Sequence, residues 1–222
     1  MSKEHIRQVS PSDASVLKNF VTLERDLLSS NPLFVSEIDA DVIKQLSGES
    51  AFFSEMEHAL FVASGGGGDV ARCAALINRR YQKAKNEAVG FIGYFAAAPD
   101  SGSQVQAMLE VAEAWLKERS VTRIIAPFNG AGPLGFGVRT AAFDEEPVYP
   151  FKWTPPITAS IWLTPATDRL TLYGATPSIF LRINIKPLLA GLPGTIQSWC
   201  VPSIRSAGTK IWIYVGRLWT NQ

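Results

Sequence analysis

Imidazoles and thiols, the nitrogen and sulfur ligands of a zinc site, are few: His5 and His58, Cys73 and Cys200. A structural zinc site takes four such ligands in close pairs and a catalytic one three. Here they are scattered, so neither a metal site nor a disulfide framework is expected. Asp144-Glu145-Glu146 is a candidate general-base cluster, or an acidic loop facing water. Gly65 to Gly68 lacks the Gly-Lys-Ser/Thr ending of a phosphate loop and reads as a hairpin tip. Gly130-Ala131-Gly132-Pro133-Leu134-Gly135-Phe136-Gly137 has a proline inside it and does not fit Gly-x-Gly-x-x-Gly, which leaves a loop near a site or a structural loop. The basic run Arg79-Arg80-Tyr81-Gln82-Lys83-Ala84-Lys85 suits an anionic ligand or nucleic acid, but a formal charge of +1 over the whole chain argues against a nucleic-acid partner.

The elements that would position such groups are clearer. Ala59–Ser64 and Val70–Asn78 are apolar-rich runs joined by Gly65-Gly66-Gly67-Gly68-Asp69, which predicts a β-hairpin. Ala88–Phe95 reads as a strand after a polar loop. From Gln104 to Arg119 the apolar residues Val105, Met108, Leu109, Ala112, Trp115 and Leu116 fall on one helix face. Thr122–Ala126 returns to strand before Pro127, so this helix links two parallel neighbours. Upstream, Ile6–Val9 fits a first strand. Ser10-Pro11-Ser12-Asp13 offers a cap for a helix carrying Val16, Leu17, Phe20, Leu23, Leu27 and Leu28, which ends near Pro32. Leu33-Phe34-Val35 is expected to pack beneath it, and Val42, Ile43 and Leu46 predict a short helix stopped by Gly48. Phe52, Phe53 and Met56 read as core anchors. The expected core includes Leu60, Val62, Leu76, Phe91, Ile92, Leu109, Trp115, Leu116 and Ile124.

With 222 residues the chain suits one domain, or one domain and a fragment. Its first residues have no apolar core of a signal peptide, and no run reaches the ~18 apolar residues of a membrane span, so a cytoplasmic protein is expected.

The order strand, helix, short helix, hairpin, strand, helix, strand resembles the GNAT acyltransferase superfamily, and several stretches are similar to bacterial GNAT-like proteins built from two such halves. These are residues 20–34, Glu57–Ala63, Ala74–Arg79, Val89-Gly90-Phe91-Ile92-Gly93-Tyr94-Phe95, Ala112–Leu116 and Ala126-Pro127-Phe128-Asn129-Gly130. The likeness covers about residues 6–156. It implies an α/β fold, a mixed sheet flanked by helices, and transfer of an acyl group from acetyl-CoA or another acyl-CoA to an amine in the complete protein. It also implies that Phe95, on the strand that contacts the pantetheine arm, and Asn129, just past the last strand, are cofactor-binding; Asn129 is otherwise a turn residue beside Gly130. No catalytic base, acceptor or oligomeric state follows from it.

In working members a glycine-containing Arg/Gln-x-x-Gly-x-Gly/Ala turn offers its amides to the pyrophosphate at a helix N-terminus. The corresponding turn here is Ala96-Ala97-Ala98-Pro99-Asp100-Ser101-Gly102-Ser103, with one glycine, no arginine, an aspartate, and a proline that removes a donor. This half therefore reads as degenerate for acetyl-CoA and the chain as inactive by itself. The alternatives are a non-catalytic scaffold half beside a complete one, and a module with a cationic tail.

That tail begins where the likeness stops. Up to Pro156 there are 19 acidic and 15 basic residues; from Ile157 there are six basic residues, one acid (Asp168) and four of the six tryptophans. Ordinary domains mix both charges throughout. Residues 157–222 are thus expected to form an atypical segment, supplying neither the closing helix nor the closing strand of the fold and packing poorly. Joining each codon's third base to the next two restores aspartates and polar residues at positions suited to a helix surface, as a shifted reading frame would. The rival reading is a genuine Trp-rich cationic segment for a partner or membrane surface. Sequencing the coding DNA around codons 150–165 separates them: one inserted or deleted base that opens a longer frame is the expected result, and an intact gene ending at Gln222 contradicts it.

Overall fold

In the computed structural model the backbone is described for residues 5–139, 141–147 and 152–163 and for strands within 169–214; side chains are described as far as residue 162, Phe52 excepted. Strand β1 (His5–Val9) leads to helix α1 (Ala14–Leu28), whose Asp13 cap accepts from the Ser15 and Val16 N–H groups. Such a cap is worth ~0.5–2 kcal/mol. Leu17, Phe20, Val21, Leu23 and Leu28 are buried along the helix, and α2 (Asp39–Leu46) buries Val42 and Leu46 before Gly48 turns at φ +86°.

The connector between these helices meets expectation only in part: Leu33 and Phe34 are half-buried, whereas Val35 and, further on, Ile38 are each 69% exposed. Asn31 shapes the turn that precedes Val35: its side chain accepts from the Leu33 N–H and its carbonyl from the Phe34 N–H.

Strands β2 (Met56–Gly65) and β3 (Gly68–Asn78) pair through to Gly65↔Gly68, so only Gly66-Gly67 turn the hairpin. The stretch expected as a polar loop holds helix α3 (Arg79–Lys85): Asn78 caps it by accepting from the Tyr81 N–H, and Asn86 closes it at φ +51°. Then follow β4 (Val89–Ala97), α4 (Gly102–Glu118), β5 (Arg123–Ala126), β6 (Val138–Arg139), α5 (Pro156–Leu163), β7 (Arg169–Ala175) and β8 (Ser178–Arg182). The sheet order is β1-β2-β3-β4-β5-β7-β6, with β8 on β7. The first four strands are antiparallel neighbours; β4, β5, β7 and β6 pair in parallel.

Period-two alternation divides the core between the two faces of the sheet. Ala59, Phe61, Ala63, Ala71, Cys73, Ala75 and Ile77 pack with the buried stripe of α4, all six of whose expected residues are inside. Leu60, Val62, Ala74, Leu76 and Phe91 pack with α1 and α2. Every residue of the expected core is buried. Burying a Leu, Ile or Phe side chain contributes ~1.5–3 kcal/mol, so the helices are held by these stripes more than by their own propensity.

From Pro156 on, the backbone holds one more helix and strands that join the sheet. Helix α5 buries Thr158, Ala159 and Trp162, and β7 lies between β5 and β6. The segment retains enough apolar residues for a helix to bury, and Leu170-Thr171-Leu172-Tyr173 is a β-branched and aromatic run suited to a strand. Side chains beyond residue 162, including the Trp-rich tail, lie outside the described residues.

A chain of charges, buried at Arg72 and Glu24 and half-buried at Lys152 and Glu37, ties the first helix to the segment before α5. Arg72 of β3 is 1% exposed, donates to the Phe20 and Val21 carbonyls, and meets Glu24 at 2.7 Å. Lys152 lies 3.4 Å from the same carboxylate and 2.9 Å from Glu37. Burial alone would raise the Glu24 carboxyl; the charges and hydrogen bonds of Lys152 and Arg72 outweigh it and hold it below its usual 4.5. The folded state therefore binds this proton less readily than the unfolded state, and stability is lost as pH falls from about 4.5 through the depressed value. Glu24→Ala should lower the unfolding free energy in urea at pH 7 by ~3–5 kcal/mol, the cost of leaving a buried cation without its partner. Glu24→Gln should lack the wild-type loss of stability that this carboxylate adds below pH ~4.5.

Candidate functional site

The candidate site is the place where β4 and β5 part. They pair from Val89↔Arg123 to Phe91↔Ile125, and the Phe128 N–H still reaches the Ile92 carbonyl at 2.8 Å. Beyond it the ladder is replaced by one side chain. Asn129 is 8% exposed; its Oδ1 accepts from the Tyr94 N–H at 2.7 Å and its Nδ2 donates to the Leu134 carbonyl at 2.6 Å. Its own N–H donates to Gly135, and the Gly137 N–H to Pro127, which folds the glycine-rich loop back against the strand end.

Two residues permit this approach. A Cβ on Gly93 would stand 2.4 Å from the Phe128 carbonyl oxygen and 2.6 Å from Asn129 Oδ1, so only glycine fits there. Tyr94 adopts φ +48°. Because of that turn the alternation along β4 breaks: Ile92, Phe95 and Ala97 face α4, whereas Phe91 and Tyr94 join the α1–α2 side. A β-bulge re-aims a side chain in this way, and the register of β3 against β4 shifts between Arg72 and Ala74. Neither residue was singled out in the sequence. The signal was there, since a glycine inside an apolar strand marks a bulge or a close backbone approach.

Phe95 is half-buried, its ring 5.1 Å from that of Trp162 and nearly perpendicular to it. On the other side of the sheet the rings of Tyr81, Phe91, Phe128 and Phe136 form a column with spacings of 5.2, 5.0 and 6.0 Å. The two residues implied by resemblance thus sit at the same strand end, but with separate surroundings: Phe95 packs on Trp162 and Asn129 fills the gap.

In the turn before α4, the buried Ser101 donates its hydroxyl to the Ala98 carbonyl at 2.6 Å and makes no side-chain cap to the helix. Asp100 is exposed beside that helix start, where a carboxylate favours the helix dipole and disfavours an incoming diphosphate. Asp144, Glu145 and Glu146 are exposed. Their loop is held instead through backbone carbonyls of Glu145 and Glu146, which accept from the buried Arg139. Arg79 and Arg80 of the basic run pair with Glu57 and Glu55, and His58 contacts the Leu46 carbonyl at 2.9 Å. Among the described residues there is no group of three or more His, Cys, Asp or Glu placed to hold a metal, and no helix is long and apolar enough to cross a membrane.

The strand order, with helices on both faces of the sheet, is the mixed sheet flanked by helices that the resemblance implies. No family model matches the chain. It is 29% identical over 134 residues to a bacterial ceramide synthase of Caulobacter vibrioides (strain NA1000 / CB15N), a match spanning 60% of this chain and only 35% of that protein. Among solved structures, a tandem GNAT protein from the clavulanic acid biosynthesis pathway overlaps 55% of this chain and 35% of its own, at 10% identity and a TM-score of 0.44. An aminoglycoside acetyltransferase from an uncultured soil metagenomic sample overlaps 59% of this chain and 82% of its own, at 18% identity and 0.39.

The close packing at Gly93 predicts that Gly93→Ala lowers unfolding free energy by ~1–3 kcal/mol, because the obstructing atoms are backbone. Gly102→Ala, whose Cβ would meet nothing within 4 Å, should be neutral or stabilising by up to ~1 kcal/mol. Urea unfolding of the two variants beside the wild type checks both.

Proposed function

We propose that this chain is the non-catalytic, GNAT-like half of a longer acyl-CoA-dependent N-acyltransferase. The observation that carries this reading is the occupied amide at the parting of the strands. In acyl transfer of this type the amine nitrogen attacks the thioester carbonyl carbon, charge collects on its oxygen, the C–S bond breaks and coenzyme A leaves as the thiolate. A base takes the amine proton, and backbone N–H groups steady the developing oxyanion. Here the Tyr94 N–H already donates to Asn129 Oδ1, and a proline and an aspartate stand in the turn that would meet the pyrophosphate.

Its role would then be to complete the shape of a cleft served by another half. The similarity to a ceramide synthase supports a long-chain amino alcohol as acceptor and a fatty acyl-CoA as donor in the complete protein, since a ceramide is the amide of those two components. A second reading, that this half itself binds acyl-CoA, is favoured by the retained bulge at Tyr94.

Calorimetry on the full 222-residue chain with acetyl-CoA and with palmitoyl-CoA distinguishes the readings. The expected result is no binding tighter than about 1 mM, or about −4 kcal/mol, for either donor. Micromolar binding, about −8 kcal/mol, would place the cofactor on this half and overturn the proposal.

A further inference from the structure

We infer that Tyr94 is a positioning residue that couples the parting of β4 and β5 to helix α2. A tyrosine at φ +48° is in a strained conformation that persists only where its surroundings hold it. Tyr94 is held at both ends. Its N–H donates to Asn129, its ring is 3% exposed and lies 6.3 Å from that of Phe53, and its hydroxyl donates to Gln45 Oε1 at 2.7 Å.

Gln45 belongs to the last turn of α2, and the neighbouring Leu46 carbonyl contacts His58. One residue thus spans from the loop beyond β5 to the helix that follows the exposed connector carrying Val35 and Ile38. The hydroxyl remains a donor: burial pushes its ionisation well above the ordinary tyrosine value, the charge of Glu37 adds to that, and Arg72 offsets part of it. Releasing the Tyr94 N–H from Asn129 lets the backbone leave its left-handed conformation, which withdraws the hydroxyl from Gln45 and loosens α2. The coupling stands on these contacts alone and does not require that this half bind acyl-CoA or lack that ability.

Hydrogen exchange on the full chain tests it, because amide exchange reports local opening element by element. Tyr94→Phe, which removes only the hydroxyl, should raise exchange about fivefold in residues 39–47 and leave 129–135 unchanged. Asn129→Ala should raise both. In the double variant, exchange at 39–47 should not exceed that of Asn129→Ala. Asn129→Asp keeps an acceptor for Tyr94 but loses the donor to Leu134, so it should raise exchange at 132–135 and leave 39–47 at the wild-type level. This last variant remains informative if Asn129→Ala is too unstable to fold. Additive effects in the double variant, an unaffected α2 in Asn129→Ala, or a loosened α2 in Asn129→Asp would each overturn the coupling.

Discussion

The site depends on the contact in which Asn129 replaces the β4–β5 ladder. Two parallel strands that part must leave backbone donors without a ladder partner, and a buried donor left unpaired costs ~1–3 kcal/mol. The fold meets this demand from within. The carboxamide of Asn129 supplies an acceptor to one strand and a donor to the loop beyond the other, and Gly93 is the only residue type that lets the two chains come close enough. The Tyr94 N–H is thereby already engaged by the chain's own side chain.

Around that contact the two layers of the core have different characters. The α4 side is apolar, small residues of β2 and β3 against Met108, Leu109, Trp115 and Leu116. The α1 side mixes apolar packing with the Arg72–Glu24–Lys152–Glu37 chain. Two carboxylates and two cations balance there, which makes the burial of Arg72 tolerable and fixes the loop at Lys152 over the first helix. Charge burial of this kind adds little net stability compared with apolar packing but penalises any arrangement that separates the partners.

Much of the fold was legible in the residues because it follows from period. The hairpin, α4 and its buried stripe, the capped α1 and the parallel return to β5 all come from local patterns. What escaped was set by side-chain caps that hydropathy does not show or by partners distant in the chain. Helix α3 is short and polar, and only the flanking Asn78 and Asn86 define it. The turn before the exposed Val35 rests on hydrogen bonds to Asn31 that no apolar pattern reveals. In the sequence Asn129 fits either a turn residue or a cofactor contact; its partner Tyr94 lies 35 positions earlier, and the bulge that presents that amide leaves only a Gly-Tyr pair as its trace. For the same reason the pairing of Glu24 with Arg72 and Lys152 could not be foreseen from hydropathy.

The claim that this half is closed at the strand parting is tested most directly at the backbone amides themselves. With the full chain labelled with nitrogen-15, the Tyr94 and Phe95 amide resonances can be followed as acetyl-CoA is added. The account predicts that both stay in place at saturating nucleotide, since Asn129 Oδ1 already occupies the Tyr94 donor. A saturable shift of the Tyr94 resonance, accompanied by movement of the Asn129 side-chain amide signals, would mean that the thioester displaces Asn129 and would contradict it.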